Sequence, residues 1–287
     1  MTVAVSCNLS DGVVLGVDSA VTLPSPTGVL KVYEEADKLF QISNRPIGVA
    51  TFGLGTLRDR TIGSLLRQFE LMDPHQKIKN QGNLAEIVEE LRAFFYDIYL
   101  ISIARGVEEA TKKRFDEIPV EQLPVLGFVV GGFSPGSYMS EVWGIHIPRH
   151  KTTGSADQLR KPGGFGTNWF AMYEPIQRYF KGYTPALLDE MMGYFSKIRG
   201  SPLSESEAKE IAGILSKYEY QVPYASMPIR EGIEHVRFLV SMVVNHHRFA
   251  IGAPIVGGKV NIGLVTYDAK EFKILRGEVG HVERRDQ

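Results

Sequence analysis

The first twenty residues constrain this chain more than any other stretch. Two runs, Thr2-Val-Ala-Val-Ser-Cys-Asn-Leu9 and Val13-Val-Leu-Gly-Val-Asp-Ser-Ala20, flank Ser10-Asp11-Gly12. Apolar segments of this kind joined by a short loop read as a β-hairpin, because glycine supplies the positive φ that a tight turn needs. A three-residue loop pairs Leu9 with Val13, which sets Ala4 opposite Asp18 and Thr2 opposite Ala20. In that register the odd positions from Val3 to Val17 form an apolar face. The even positions, from Thr2 to Ala20, form a small and mostly polar one, Val14 excepted. Thr2 and Asp18 are then diagonal neighbours on one face.

Further strands are expected at Lys38–Ser43 and Ile47–Gly53. A helix should follow from about Thr56, with Thr56 and Asp59 as a capping box. The spacing of Ile62, Leu65, Leu66, Phe69 and Met72 is helical, and a second helix from about Asn83 buries Leu84, Ile87, Val88, Leu91 and Phe95. After a polar connection over 105–124, strands are expected at Val125–Phe133 and Tyr138–Ile147. The loop Gly163-Gly-Phe-Gly166 should lead into a helix near Asn168, and 182–226 reads as inserted helical material. Pro228 opens a long helix through Val244, and strands Lys259–Tyr267 and Lys270–Arg276 close the chain. This order of elements predicts an α+β fold of antiparallel sheets with helices outside, not alternating βαβ units.

Composition narrows the class. The 287 residues read as a single domain over 1–287, with insertions near 105–124 and 182–226. A hydrophobic share of 44% fits a chain that buries a real core, and a net charge of −1 leaves no electrostatic footprint for nucleic acid or an anionic membrane. The one cysteine, Cys7, fits a reducing compartment, so a cytoplasmic location is expected. It falls on the apolar face and reads as a buried structural thiol. No segment is apolar for long enough to span a bilayer, and the N-terminus lacks the basic start of a signal peptide.

An N-terminal threonine is a complete catalytic pair. Its Oγ1 attacks a carbonyl while its own α-amine, with a pKa of about 7.7–8.0, takes the proton. Thr2 is exposed in this way if Met1 is excised. The chemistry also wants a cation beside the hydroxyl and a carboxylate to hold that cation, for which Lys38 and Asp18 are the candidates.

The segments Thr2-Val-Ala-Val, Asp11-Gly-Val-Val-Leu-Gly-Val-Asp18-Ser, Lys38-Leu-Phe-Gln-Ile and Gly48-Val-Ala-Thr-Phe-Gly53 resemble the N-terminal third of proteasome β-subunits and their bacterial relatives. That family places its threonine sixteen residues before the aspartate, as Thr2 precedes Asp18. Later stretches, Val129-Val-Gly-Gly-Phe, Val142-Trp-Gly-Ile and Gly163-Gly-Phe-Gly-Thr-Asn, resemble it more loosely. The resemblance implies a four-layer αββα sandwich of two antiparallel sheets, the Ntn-hydrolase fold, with helical insertions. It implies catalytic Thr2, Asp18 and Lys38, an oxyanion N–H at Gly53 or Gly55, and substrate backbone held by Thr22 and Gly53. It implies a peptide or unfolded-protein substrate, a homo-oligomer (ring or open ring-like) and no cofactor.

The chain departs from that pattern in its supporting residues. The family's Asp and Ser before the penultimate strand have no counterpart in Ala253-Pro-Ile-Val256-Gly-Gly, and Phe165 stands where the glycine loop usually has serine, with Thr167 as a stand-in. Three functions are therefore weighed: a threonine peptidase, a catalytically silent scaffold of the same fold, and an N-terminal-threonine amidase or peptide ligase. Ser19 reads as structural support. His246-His247, adjacent on a helix, do not share a face and call for no metal.

Overall fold

The computed structural model describes residues 2–25, 28–42, 45–72, 82–148, 154–251, 256–268 and 272–276, and within 22–30 only the backbone of the strands. The chain forms two compact units, Tyr173–Pro223 and the remainder.

The larger unit is built on two five-stranded antiparallel sheets. One has the order β12-β1-β2-β13-β14, from Gly166–Ala171, Val3–Leu9, Gly12–Asp18, Val260–Thr266 and Lys273–Leu275. The other runs β11-β10-β9-β6-β5, from Ser155–Arg160, Glu141–Ile147, Leu126–Gly132, Ile47–Gly53 and Leu39–Gln41. Their inner faces share a core that joins Val13, Leu15 and Val17 to Ala50, Phe52 and Val129. Outside the second sheet lie α1 (Ile62–Leu71) and α2 (Leu84–Thr111), whose Leu65, Phe69, Leu91 and Phe95 cluster with Val49, Phe128 and Ile145. Outside the first lies α6 (Ile229–Phe249). There the approach is close enough that a Cβ on Gly16 would stand 2.3 Å from Val236, and one on Gly232 would stand 2.3 Å from Leu9. The unit is thus a four-layer αββα sandwich of α+β class.

The first hairpin differs from its expected register. Leu9 pairs with Gly12 and Ala4 with Val17, so the loop is the two residues Ser10-Asp11. A one-residue slip exchanges faces. Ala4 therefore joins Val13, Leu15 and Val17 in the core between the sheets, while Leu9 and Val14 turn to α6.

The helix expected from Thr56 starts later. Arg58 and Asp59 both have positive φ, closing a small hairpin of β7 (Thr56–Leu57) and β8 (Arg60–Thr61). Thr61 then caps α1 by accepting from Ser64 N–H at 3.2 Å. The region 105–124 is helical as far as Thr111, followed by short 3₁₀ turns at Phe115–Glu117 and Val120–Gln122. The loop Gly163–Gly166 is a turn between two strands, and Asn168 lies in β12 opposite Ser6, not in a helix. The expected strand from Lys38 is shorter, with Ser43 outside the described residues. A separate hairpin, β3 (Val21–Ser25) with β4 (Gly28–Tyr33), was not expected.

The smaller unit holds α3 (Glu174–Lys181), α4 (Pro185–Arg199) and α5 (Glu205–Ser216). Their ends obey local rules. Thr184 and Ser204 cap two N-termini, and left-handed Gly182 and Gly200 end two helices. Ile176 and Phe180 are its buried residues, and the Tyr179 and Tyr220 rings meet at 5.2 Å. Among the described residues, no helix is long and apolar enough to cross a membrane.

Candidate active site

Three chain segments meet at one end of the sandwich: the start of β1, the end of β2 and the residue before β5. Lys38 sits there because its carbonyl accepts Thr51 N–H at 2.9 Å across the β5–β6 edge. Its Nζ donates to Thr2 Oγ1 at 2.8 Å and to Asp18 Oδ1 at 2.8 Å. All three residues are buried, at 4% exposure for Thr2, 0% for Asp18 and 4% for Lys38.

The hairpin register explains how Asp18 reaches this point. Continued by one step, it sets Asp18 across from Val3, whose N–H donates to Asp18 Oδ1 at 3.1 Å. Thr2 and Asp18 are therefore not side by side on one strand face; Lys38, arriving from the other sheet, bridges them. Gly257 N–H donates to Asp18 Oδ2 at 3.2 Å. This backbone contact escaped the sequence reading, although paired glycines before a strand are a signal for close backbone approach.

Burial raises the Asp18 pKa, and the Lys38 ammonium and the two backbone N–H groups oppose that rise. Burial likewise lowers the Lys38 pKa, opposed by Asp18. Each charge is tolerable only with the other present. Ser19 supports the same corner: it donates to Glu34 O and accepts Lys259 N–H at 2.7 Å. The supporting role expected of Ser19 is what its contacts describe.

A cavity of about 500 Å³ opens beside Thr2, and Lys38, Phe40, Gly53, Gly55 and Ile62 line it. Both glycines expected as oxyanion donors thus face the cavity. Strand alternation distinguishes them: Thr51 N–H points to the β5 edge, so Gly53 N–H, two residues on, is directed the same way, past the start of β5. Gly53 has φ +85°, and Leu54 N–H turns the other way to Val125 O at 2.8 Å. Thr22 is the second residue of β3, paired with Val32. Positions 253–255 lie outside the described residues.

Cys7 takes no part in this constellation. It is fully buried, and burial pushes its thiol up to about 11. We expect the folded protein to resist thiol reagents at pH 8, with one thiol titrating only after denaturation. Rapid native labelling would contradict the packing of β1.

No family model and no curated protein matches the chain. Solved structures do. One, described as the Anbu (Gly-1) mutant from Hyphomicrobium sp. strain MC1, superimposes with a TM-score of 0.55 at 11% identity, covering 97% of this chain and 88% of that one. The chain has the αββα fold of Ntn hydrolases. In this Ntn fold, helices flank both sheets, and Thr2 stands directly before the first strand, where the buried lysine and aspartate meet. At 11% identity the likeness is one of fold, and what happens at Thr2 has to be read from the residues around it.

Proposed function

We propose that this chain is an N-terminal-threonine hydrolase that cleaves amide bonds in peptides through an acyl-enzyme. The observation that carries the reading is Lys38 Nζ, 2.8 Å from both Thr2 Oγ1 and Asp18 Oδ1 in a buried corner beside a cavity. With Met1 removed, the Thr2 α-amine accepts the hydroxyl proton as Oγ1 attacks the substrate carbonyl. The Lys38 ammonium favours the developing alkoxide, and Asp18 holds Lys38 in place. Gly53 N–H is the oxyanion donor that the strand geometry favours. The leaving amine takes the proton from the Thr2 ammonium, and water then hydrolyses the ester. An extended peptide against the Thr22 and Gly53 edges would bind as an added strand.

The test is intact mass of the protein before and after a peptide epoxyketone, which needs a hydroxyl and a free α-amine on one residue. We expect loss of Met1 and a single adduct that Thr2→Ala abolishes. A retained Met1 with no adduct would reject the hydrolase.

A pH profile of kcat/KM offers an independent check. The α-amine must be neutral, so activity should fall as pH drops below the ordinary α-amino range of about 7.7–8.0. On the alkaline side activity should fall as Lys38, whose pKa burial lowers, loses its proton. A flat profile through this range would exclude the amine as base.

A second reading, a silent scaffold, is favoured by one feature. Val256, Gly257 and Gly258 bring no side-chain hydroxyl or carboxylate to the site; what this segment gives Asp18 is the Gly257 N–H. The epoxyketone experiment separates the two.

A further inference from the structure

Helix α4 carries two apolar stripes. Leu188, Met192 and Ser196, at i, i+4 and i+8, are half-buried, and Ser196 Oγ accepts Leu203 N–H at 3.3 Å, so this stripe faces its own unit. The other stripe is uncovered: Leu187 is 48% exposed, Met191 42%, Tyr194 61%, Phe195 41% and Ile198 67%. Their spacing of i, i+4, i+7, i+8 and i+11 makes one continuous seam along the helix. Large apolar side chains contiguous on a surface mark an interaction site, whereas scattered ones do not.

The seam is its own complement. Laid antiparallel on a second copy, Leu187 falls opposite the partner's Ile198, and Met191 opposite the partner's Tyr194. Glu190 and Lys197 lie on one flank of the seam, seven residues apart, and both are exposed. The same two-fold axis that aligns the apolar residues sets Glu190 against the partner's Lys197, twice per pair. An isologous interface requires a surface that matches itself in this way.

We propose that α4 is a homodimerisation helix, whose exposed seam pairs antiparallel with the same seam of a second copy of this chain. This assignment is independent of the chemistry at Thr2.

The test is sedimentation velocity of the full chain across a concentration series, with circular dichroism to establish that each variant is folded. Tyr194→Asp, which sets a charge at the centre of the seam, should weaken association at least about 100-fold. Glu190→Lys and Lys197→Glu should each weaken it about tenfold, since either creates two like-charge contacts, and the double swap should return it to near the starting value. A cross-link gives a second readout. Cys7, the one native cysteine, is fully buried, so Tyr194→Cys adds a single reactive thiol. Mild oxidation should convert that variant to a disulfide-linked dimer. A chain that stays monomeric, or an oligomer indifferent to the charge swaps and uncross-linked at 194, would overturn the proposal.

Discussion

Replacing Lys38 by methionine should abolish turnover, by at least about 10³-fold, and destabilise the protein by about 3–5 kcal/mol. Both effects come from one atom. The ammonium that contacts Thr2 Oγ1 also neutralises Asp18, which has no exposure to water. Without it, a carboxylate remains buried with only the N–H groups of Val3 and Gly257 as donors. A double-mutant cycle with Asp18→Asn isolates the pair: the double variant should be less destabilised than the two single losses summed. The pH dependence has a defined sign. In Lys38→Met the buried carboxyl, its pKa already raised by burial, loses its cation and titrates higher still. The folded state then holds a proton that the unfolded state releases near pH 4, so stability is greatest in acid and falls as pH rises through the folded pKa. The deficit relative to the parent protein should shrink between about pH 8 and pH 5, as measured by denaturant unfolding. A deficit that grows on acidification would mean that Asp18 is not the group left uncompensated.

Gly53→Ala should cost about 2–4 kcal/mol and lower kcat by about 10²–10³-fold. Gly53 has φ +85°, where an L side chain is strained, and its added Cβ would stand 2.0 Å from Val125 O. That oxygen accepts Leu54 N–H, so relief of the clash must move the backbone that joins β6 to the cavity wall. Such movement turns Gly53 N–H away from the direction that strand alternation assigns it. If Gly53 is the oxyanion donor, kcat should fall much more than KM rises, because the interaction is made only in the transition state. Full kcat with lowered stability would transfer the role to Gly55.

The candidate site was more legible than the sheet around it. Thr2, Asp18 and Lys38 stand out because the proposed chemistry wants a hydroxyl, a cation and a carboxylate, and few sequence patterns supply them so near the N-terminus. The helix starts near Asn83 and Pro228 were equally legible, since helix initiation is local chemistry: Asn83 accepts Glu86 N–H at 2.9 Å, and α6 starts directly after Pro228. Elements whose identity depends on a distant partner were not. Residues 166–171 have glycine and polar residues consistent with a turn into a helix, but they form the edge strand that pairs with β1.

What the sequence determined by itself was the kind of fold, two antiparallel sheets with helices outside, and the trio Thr2, Asp18 and Lys38. The elements follow from periodicity and turn chemistry carried within a few positions of the chain, and the trio from residue chemistry at spacings of sixteen and twenty residues. Register was decided by the tertiary structure alone. Every residue of β1 and β2 is buried, because one face meets the other sheet and the other meets α6. A strand buried on both sides has no solvent face to betray which way its side chains point. The one-residue slip from Val13 to Gly12 opposite Leu9 was therefore invisible until the helix and the second sheet were in place. The same slip places Asp18 across from Val3, and it falls to Lys38, just before β5 of the other sheet, to bring Asp18 and Thr2 together.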